Sequence, residues 1–307
     1  MWVDPELAAL SVMMPRFDLT NLAESRRVEK LLAAQGRTAI SQVVTDDDIV
    51  EGRDGNHIPV RIHRPARKAG YLPVLLYLHG GGFLLGGLHT EEERREQYAK
   101  HLDCVVIGAD YRLAPEHPHP AAFDDVLSVL VWINDRAAEL KLDSRRIAIG
   151  GNSAGGTLAA ALAIHARNGA APPVMHQMLI NPALDLSSES RSAHTYVDSP
   201  GWNRTNNLLV WEAYLRGSPR PLDYRAAPSL ENDLTGVAPA SFWIAEQDPV
   251  RDEGLEYALR LMRDGVQVSL HQYLGTFHGF DSYRMTQLGQ RAFAEQVWEL
   301  RRAFQRE

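Results

Sequence analysis

The chain has one cysteine, Cys104, so no internal disulfide can form. Cys104 opens the apolar run Cys104-Val105-Val106-Ile107, which predicts a buried core thiol rather than a reactive one. No apolar run approaches the roughly 20 residues a membrane-spanning helix needs, so stable membrane insertion is not expected. A basic-then-apolar leader is also missing: Asp4 and Glu6 come early, no signal peptide is read, and the cytoplasm is the default location. Positive charge is in deficit, with 32 Lys and Arg against 39 Asp and Glu and a net charge of -7. That balance argues against nucleic acid or an anionic membrane as partner. No internal repeat is evident.

What is present is ordinary for a soluble globular protein: 45% apolar and 23% charged residues over 307 positions. That length can bury a large core, as one α/β domain with an insertion or as two small domains. The chain is organised around Ile147-Ala148-Ile149-Gly150-Gly151-Asn152-Ser153-Ala154-Gly155. A short apolar strand leads into a glycine-flanked serine, and a small-residue helix pattern follows from Thr157 to Arg167, stopped by Asn168-Gly169. Strand, G-x-S-x-G and helix is the setting of a nucleophile turn. Such a turn strains the serine backbone, and bulky neighbours would clash, hence the glycines. The helix N-terminus behind it favours developing negative charge.

Around this centre, residues 1 to about 45 read as helical, with Leu22, Val28, Leu31 and Leu32 as an interrupted apolar stripe and Met13-Met14-Pro15 as a break. Val43-Val44 and Ile58-Val60-Ile62 read as a hairpin across the turn-rich Gly52 to Asn56. Asp46-Asp47-Asp48 reads as a solvated loop, not a metal site. Val74 to Leu78 is a strand buried on both faces. Thr90-Glu91-Glu92-Glu93 fits a capping box opening a helix to about Leu102. A strand over Cys104 to Ala109 and a helix from Phe123 to about Leu140 come next. His176 to Ile180 and Ser241 to Ala245 are further strands, separated by a polar, aromatic insertion over 185 to about 225. A helix carrying Leu255, Ala258, Leu259 and Met262, a last strand over Val266 to Tyr273 and a C-terminal helix complete the chain. The alternation predicts a mostly parallel sheet with helices on both faces and functional residues at strand carboxyl ends.

A serine hydroxyl needs a base to take its proton. Asp248 follows one late strand and His278 the next, giving the order Ser153, Asp248, His278 that this fold's hydrolases require. His278 would relay the serine proton, and Asp248 would hold the imidazole and stabilise its charged form. Asp252 competes for the acid role, but a carboxylate at the start of the following helix has an ordinary capping use. His79-Gly80-Gly81-Gly82-Phe83, directly after a buried strand, leaves backbone N–H groups unobstructed for an oxyanion. Gly81, Gly82 and Ala154 are the expected donors. His79 is read as a structural hydrogen-bonder that fixes this loop. No P-loop lysine follows the glycines, so a phosphate cradle is disfavoured.

Taken together, His79 to Phe83, Tyr111-Arg-Leu-Ala-Pro-Glu-His-Pro118, Gly151 to Gly155, Asp248 to Asp252 and His278-Gly-Phe280 resemble the hormone-sensitive lipase family of α/β-hydrolases, the bacterial family IV esterases. The match covers about residues 45 to 307. The resemblance implies an α/β-hydrolase core in two parts, 46–184 and 226–307, with a helical cap from residues 1–45 and the 185–225 insertion. It implies a serine carboxylesterase that hydrolyses short- to medium-chain esters, with no cofactor. It carries Ser153, Asp248 and His278 over as the triad, and Gly81, Gly82 and Ala154 as the oxyanion hole. Many members have an acidic residue before the nucleophile, whereas this chain has Asn152. Trp202, Trp211 and Tyr214 of the cap, and Phe83 beside the oxyanion loop, are candidates for lining the substrate pocket.

Three functions compete on this reading. The first is hydrolysis of a small, largely apolar ester. The second is related acyl chemistry, such as lactone opening, natural-product deacetylation or amide hydrolysis. The third is a ligand-binding module, as in the plant gibberellin receptor the family resembles, where the catalytic histidine is lost; the presence of His278 argues against it. The oligomeric state is left open, a homodimer included.

Overall fold

The computed structural model describes residues 2–14, 17–34 and 40–305. Among the described residues, eight strands form one sheet in the order β1-β2-β4-β3-β5-β6-β7-β8. These are β1 (Val43–Glu51), β2 (His57–Pro65), β3 (Leu72–Leu78), β4 (Val105–Ala109), β5 (Leu142–Asn152), β6 (His176–Ile180), β7 (Ala240–Gln247) and β8 (Val268–Phe277). β2 runs antiparallel to β1 and β4, and the remaining pairs are parallel. Parallel neighbours need crossovers. The helices α3 (Glu92–Leu102), α4 (Ala121–Asp135), α5 (Ala154–Arg167), α8 (Arg251–Arg263) and α9 (Gln287–Phe304) lie between or after the strands they connect.

β3 shows why the sheet is buried on both faces. Val74, Leu76 and Leu78 join the core that includes Val126, Leu130, Leu158 and Leu261 of α4, α5 and α8. Leu75 and Tyr77, pointing the other way, join Tyr98, Leu102, Val297 and Leu300 of α3 and α9. The alternation follows from the two-residue period of a strand. Each of these large side chains contributes about 1.5–3 kcal/mol on burial. Cys104 is fully buried just before β4, and burial pushes its thiol up.

The N-terminal segment holds α1 (Pro5–Met13) and α2 (Leu22–Ala34). Pro15, expected as the break, lies outside the described residues. The insertion holds α6 (Arg191–Thr195) and α7 (Arg204–Tyr214). No helix among the described residues is long and apolar enough to cross a membrane.

Several expectations need correction. Asp46, Asp47 and Asp48 are inside β1, not in a loop. β1 is an edge strand, where outward charges are tolerated and discourage unwanted pairing, and Arg61 on β2 ion-pairs with Asp47 at 2.6 Å. The Thr90–Glu93 capping box does not form. Glu91 precedes α3 in a left-handed conformation, φ 55°, and makes no cap bond; Thr90 Oγ1 accepts from Gly87 N–H at 3.1 Å. α4 ends at Asp135 rather than near Leu140, and turns follow it. α5 begins at Ala154, so the serine itself sits at its N-cap. β8 continues through Gly275 to Phe277 and delivers His278 directly.

Candidate active site

β5 ends at Asn152 and α5 starts at Ala154, leaving Ser153 alone to make the turn. Its backbone has φ 53° and ψ -119°, a conformation that costs a non-glycine residue on the order of 1–3 kcal/mol. Neighbouring backbone enforces it. A Cβ on Gly155 would lie 2.1 Å from the Leu78 carbonyl oxygen, and one on Gly151 would lie 2.5 Å from the Gly155 carbonyl carbon. Only glycine fits at either place. Ser153 N–H donates to Ile180 O at 2.8 Å, which ties the turn to β6.

Asp248 and His278 follow β7 and β8, which are adjacent and parallel. Their side chains meet, with His278 Nδ1 and Asp248 Oδ2 2.6 Å apart. The other carboxylate oxygen accepts from Val250 N–H at 3.0 Å. Ser153 and His278 border one cavity of about 270 Å³. Among the described residues no hydrogen bond joins the two side chains; such contacts commonly tighten only when substrate binds. The competitor Asp252 is engaged elsewhere. It accepts from Ser192 N–H at 2.7 Å at the start of α6 and pairs with Arg251.

The glycine loop after β3 is shaped by contacts that admit no side chain. Gly81 has φ 119° and a Cβ there would lie 2.3 Å from Leu85 O. Gly80 N–H donates to Glu91 Oε2 at 3.2 Å, whereas the N–H groups of Gly81, Gly82 and Ala154 meet no acceptor among the described residues. Gly80, Gly81 and Asn152 border the cavity. His79 Nδ1 donates to Gly80 O at 2.7 Å, its ring stacks on Tyr111 at 4.2 Å, and the Tyr111 hydroxyl donates to His79 O. Burial lowers the His79 pKa to about 3, so the ring is neutral and acts as a brace.

Of the four aromatic candidates, Trp202 borders the cavity, with its ring 6.0 Å from that of His278. Phe83, Trp211 and Tyr214 do not border it. They form a cluster of their own, Phe83 stacking on Tyr214 at 3.9 Å and leaning on Trp211 at 5.8 Å. No sequence motif placed Met14, Phe17, Leu85, Glu91 or Tyr283 in this wall. Only Tyr283, five residues after His278, carried a local signal. A larger groove, about 900 Å³ between the β1–β2 turn and α4, contains none of the site residues. Volume alone would select it; the chemistry selects the smaller cavity.

Comparison with known proteins establishes the family. The family model described as an alpha/beta hydrolase fold matches residues 75–282. The carboxylesterase NlhH of Mycobacterium tuberculosis (strain ATCC 25618 / H37Rv) is 39% identical over 243 residues, 76% of this chain and 75% of that protein. The ethyl acetate hydrolase of Pseudomonas putida is 36% identical over 234 residues, 74% of this chain and 73% of that protein. The solved structure of a bacterial heroin esterase superposes with a TM-score of 0.94 at 38% identity, covering 99% of this chain and 98% of that one. The chain belongs to the hormone-sensitive lipase-like family of α/β-hydrolases and is a carboxylic ester hydrolase.

Proposed function

We propose that this ester hydrolase cleaves short- to medium-chain carboxylic esters through an acyl-enzyme on Ser153. His278 takes the proton as Ser153 Oγ attacks the ester carbonyl carbon. Asp248 fixes the ring tautomer and offsets the imidazolium charge. The oxyanion accepts hydrogen bonds from Gly81, Gly82 and Ala154 N–H, each worth on the order of 3 kcal/mol to the transition state. Collapse breaks the ester C–O bond, and the alcohol leaves with the proton from His278. Water then repeats the cycle on the acyl-enzyme and returns free Ser153.

The observation that carries this reading is the shared cavity of Ser153 and His278 with Asp248 at 2.6 Å behind the imidazole. At about 270 Å³ the cavity falls at the small end of ligand sites, which suits short acyl groups. Its described wall carries no lysine or arginine to attract an anionic substrate. Met14 and Phe17 from the N-terminal segment, with Gly201 and Trp202 from the insertion, share that wall. This supports a cap drawn from the N-terminal segment and the 185–225 insertion over a two-part core; the boundary expected at 45/46 falls earlier, because Val43 to Thr45 already pair with β2 in the sheet.

Activity on p-nitrophenyl acetate through hexanoate, falling for longer chains, is the expected result. A fluorophosphonate label should map to Ser153 by mass spectrometry. Wild-type turnover by purified Ser153→Ala would refute the reading.

A further inference from the structure

Glu91 stands where a helix cap should be, yet it caps nothing. Left-handed backbone at a non-glycine residue costs about 1–2 kcal/mol, so something else must hold it there. Its carboxylate has three hydrogen-bond donors and one ion-pair partner. Oε2 accepts from Gly80 N–H at 3.2 Å. Oε1 accepts from the Tyr77 hydroxyl at 3.1 Å and from Asn152 Nδ2 at 3.3 Å, and it ion-pairs with Arg94 Nε at 3.1 Å. The side chain is 11% exposed and borders the cavity of Ser153 and His278.

The positions of those partners give the contact its meaning. Gly80 directly precedes the two glycines whose amides are left for an oxyanion. Asn152 directly precedes Ser153. Arg94, 7% exposed, continues the chain: it bonds Asp281 Oδ2 at 2.5 Å and Ser282 Oγ at 2.8 Å, three and four residues beyond His278. One carboxylate and one guanidinium thus join the oxyanion loop, the nucleophile turn and the histidine loop. Arg94 also offsets the buried negative charge, which unpaired would be costly next to a forming oxyanion.

We infer that Glu91 is a positioning residue. By engaging Gly80 N–H it fixes the peptide that leads into the Gly81 and Gly82 amides proposed for the oxyanion, and by engaging Asn152 it braces the strained turn at Ser153. The inference rests on the proposed triad and oxyanion hole. It also gives Asn152 a role. An aspartate there would bring a second carboxylate to about 3 Å from the first, and two like charges that close do not both stay ionised. The asparagine amide donates instead.

The test uses Glu91→Gln, Asn152→Ala and the exchanged pair Glu91→Gln with Asn152→Asp, each scaled to active sites by fluorophosphonate titration and checked by thermal melting. In Glu91→Gln, kcat on p-nitrophenyl butyrate should fall about tenfold or more with KM nearly unchanged, as expected when reacting groups are misaimed. The rate of fluorophosphonate labelling should fall with it. The exchanged pair, which restores a carboxylate–amide contact, should regain at least about threefold over Glu91→Gln. A structural role alone would lower the melting temperature and leave kcat per active site intact. Wild-type kcat in folded Glu91→Gln overturns the inference. Should that variant not fold, wild-type kcat in Asn152→Ala overturns it instead. An exchanged pair no better than Glu91→Gln overturns the brace between residues 91 and 152. Turnover by Ser153→Ala would instead bring down the underlying reading, so the two failures are distinguishable.

Discussion

His278 Nδ1 and Asp248 Oδ2 meet at 2.6 Å, and the carboxylate is fully buried. The contact occupies one ring nitrogen and so leaves Nε2 as the proton acceptor. Asp248→Asn keeps the shape but removes the charge and favours the wrong tautomer. We expect kcat on p-nitrophenyl butyrate to fall on the order of 10⁴-fold, with KM little changed. A loss below tenfold would exclude Asp248 from the triad.

Asp252 supplies the control. It engages Ser192 N–H at the start of α6 and Arg251 beside it. Asp252→Ala should cost about 1 kcal/mol of stability, as for a lost cap, and leave kcat per active site at the wild-type value. A large drop in kcat without a change in melting temperature would transfer the acid role to it.

Legibility of the sequence followed the range of the interactions. The turn at Ser153 was readable because its demands are local: glycines where backbone crowds, a strand before and a helix after. Asp248 and His278 were readable because the parallel β7 and β8 place residues that end successive strands side by side. The true extent of β1 was not. Three aspartates mimic a loop, and their place in a strand depends on the register with β2 and on Arg61, distant in sequence. Glu91 was misread for a similar reason. Thr-x-x-Glu is a helix-start pattern, but the donors that decide its conformation, Gly80 and Asn152, come from other strand ends. The cavity wall mixes Met14, Phe17, Trp202 and Tyr283; no sequence window contains such a set.

The pH dependence of stability carries a signature of His119. Burial lowers its pKa to about 4, and its Nδ1 lies 3.3 Å from the Tyr214 hydroxyl. Between pH 6.5 and 4 the unfolded chain binds a proton there that the folded chain does not. Stability from this group is therefore present above pH 6.5 and is lost as pH falls toward 4. His119→Gln should lose about 1–2 kcal/mol less than wild type between pH 7.5 and 4.5, after allowing for the solvent that reaches the ring. Urea unfolding of both proteins at the two pH values reads the difference directly. The buried Glu253, whose pKa burial raises, is common to both and cancels. Equal losses would show that His119 titrates freely in the folded chain.

Chain-length preference should be set by Trp202. Its indole borders the cavity, sits 6.0 Å from the His278 ring and donates Nε1–H to Asn207 Oδ1 at 3.3 Å. Trp202→Leu keeps an apolar wall but frees volume beside the nucleophile. Each methylene newly housed is worth about 0.8 kcal/mol, so two of them should raise the kcat/KM ratio of p-nitrophenyl hexanoate to acetate roughly tenfold. The lost packing and the unpaired Asn207 carbonyl should cost stability on the order of 1–3 kcal/mol. Because the ratio compares two substrates on one protein, a destabilised fraction cancels from it. An unchanged ratio in the folded variant would mean that the acyl chain lies along another wall, with Phe17 and Tyr283 the next to substitute.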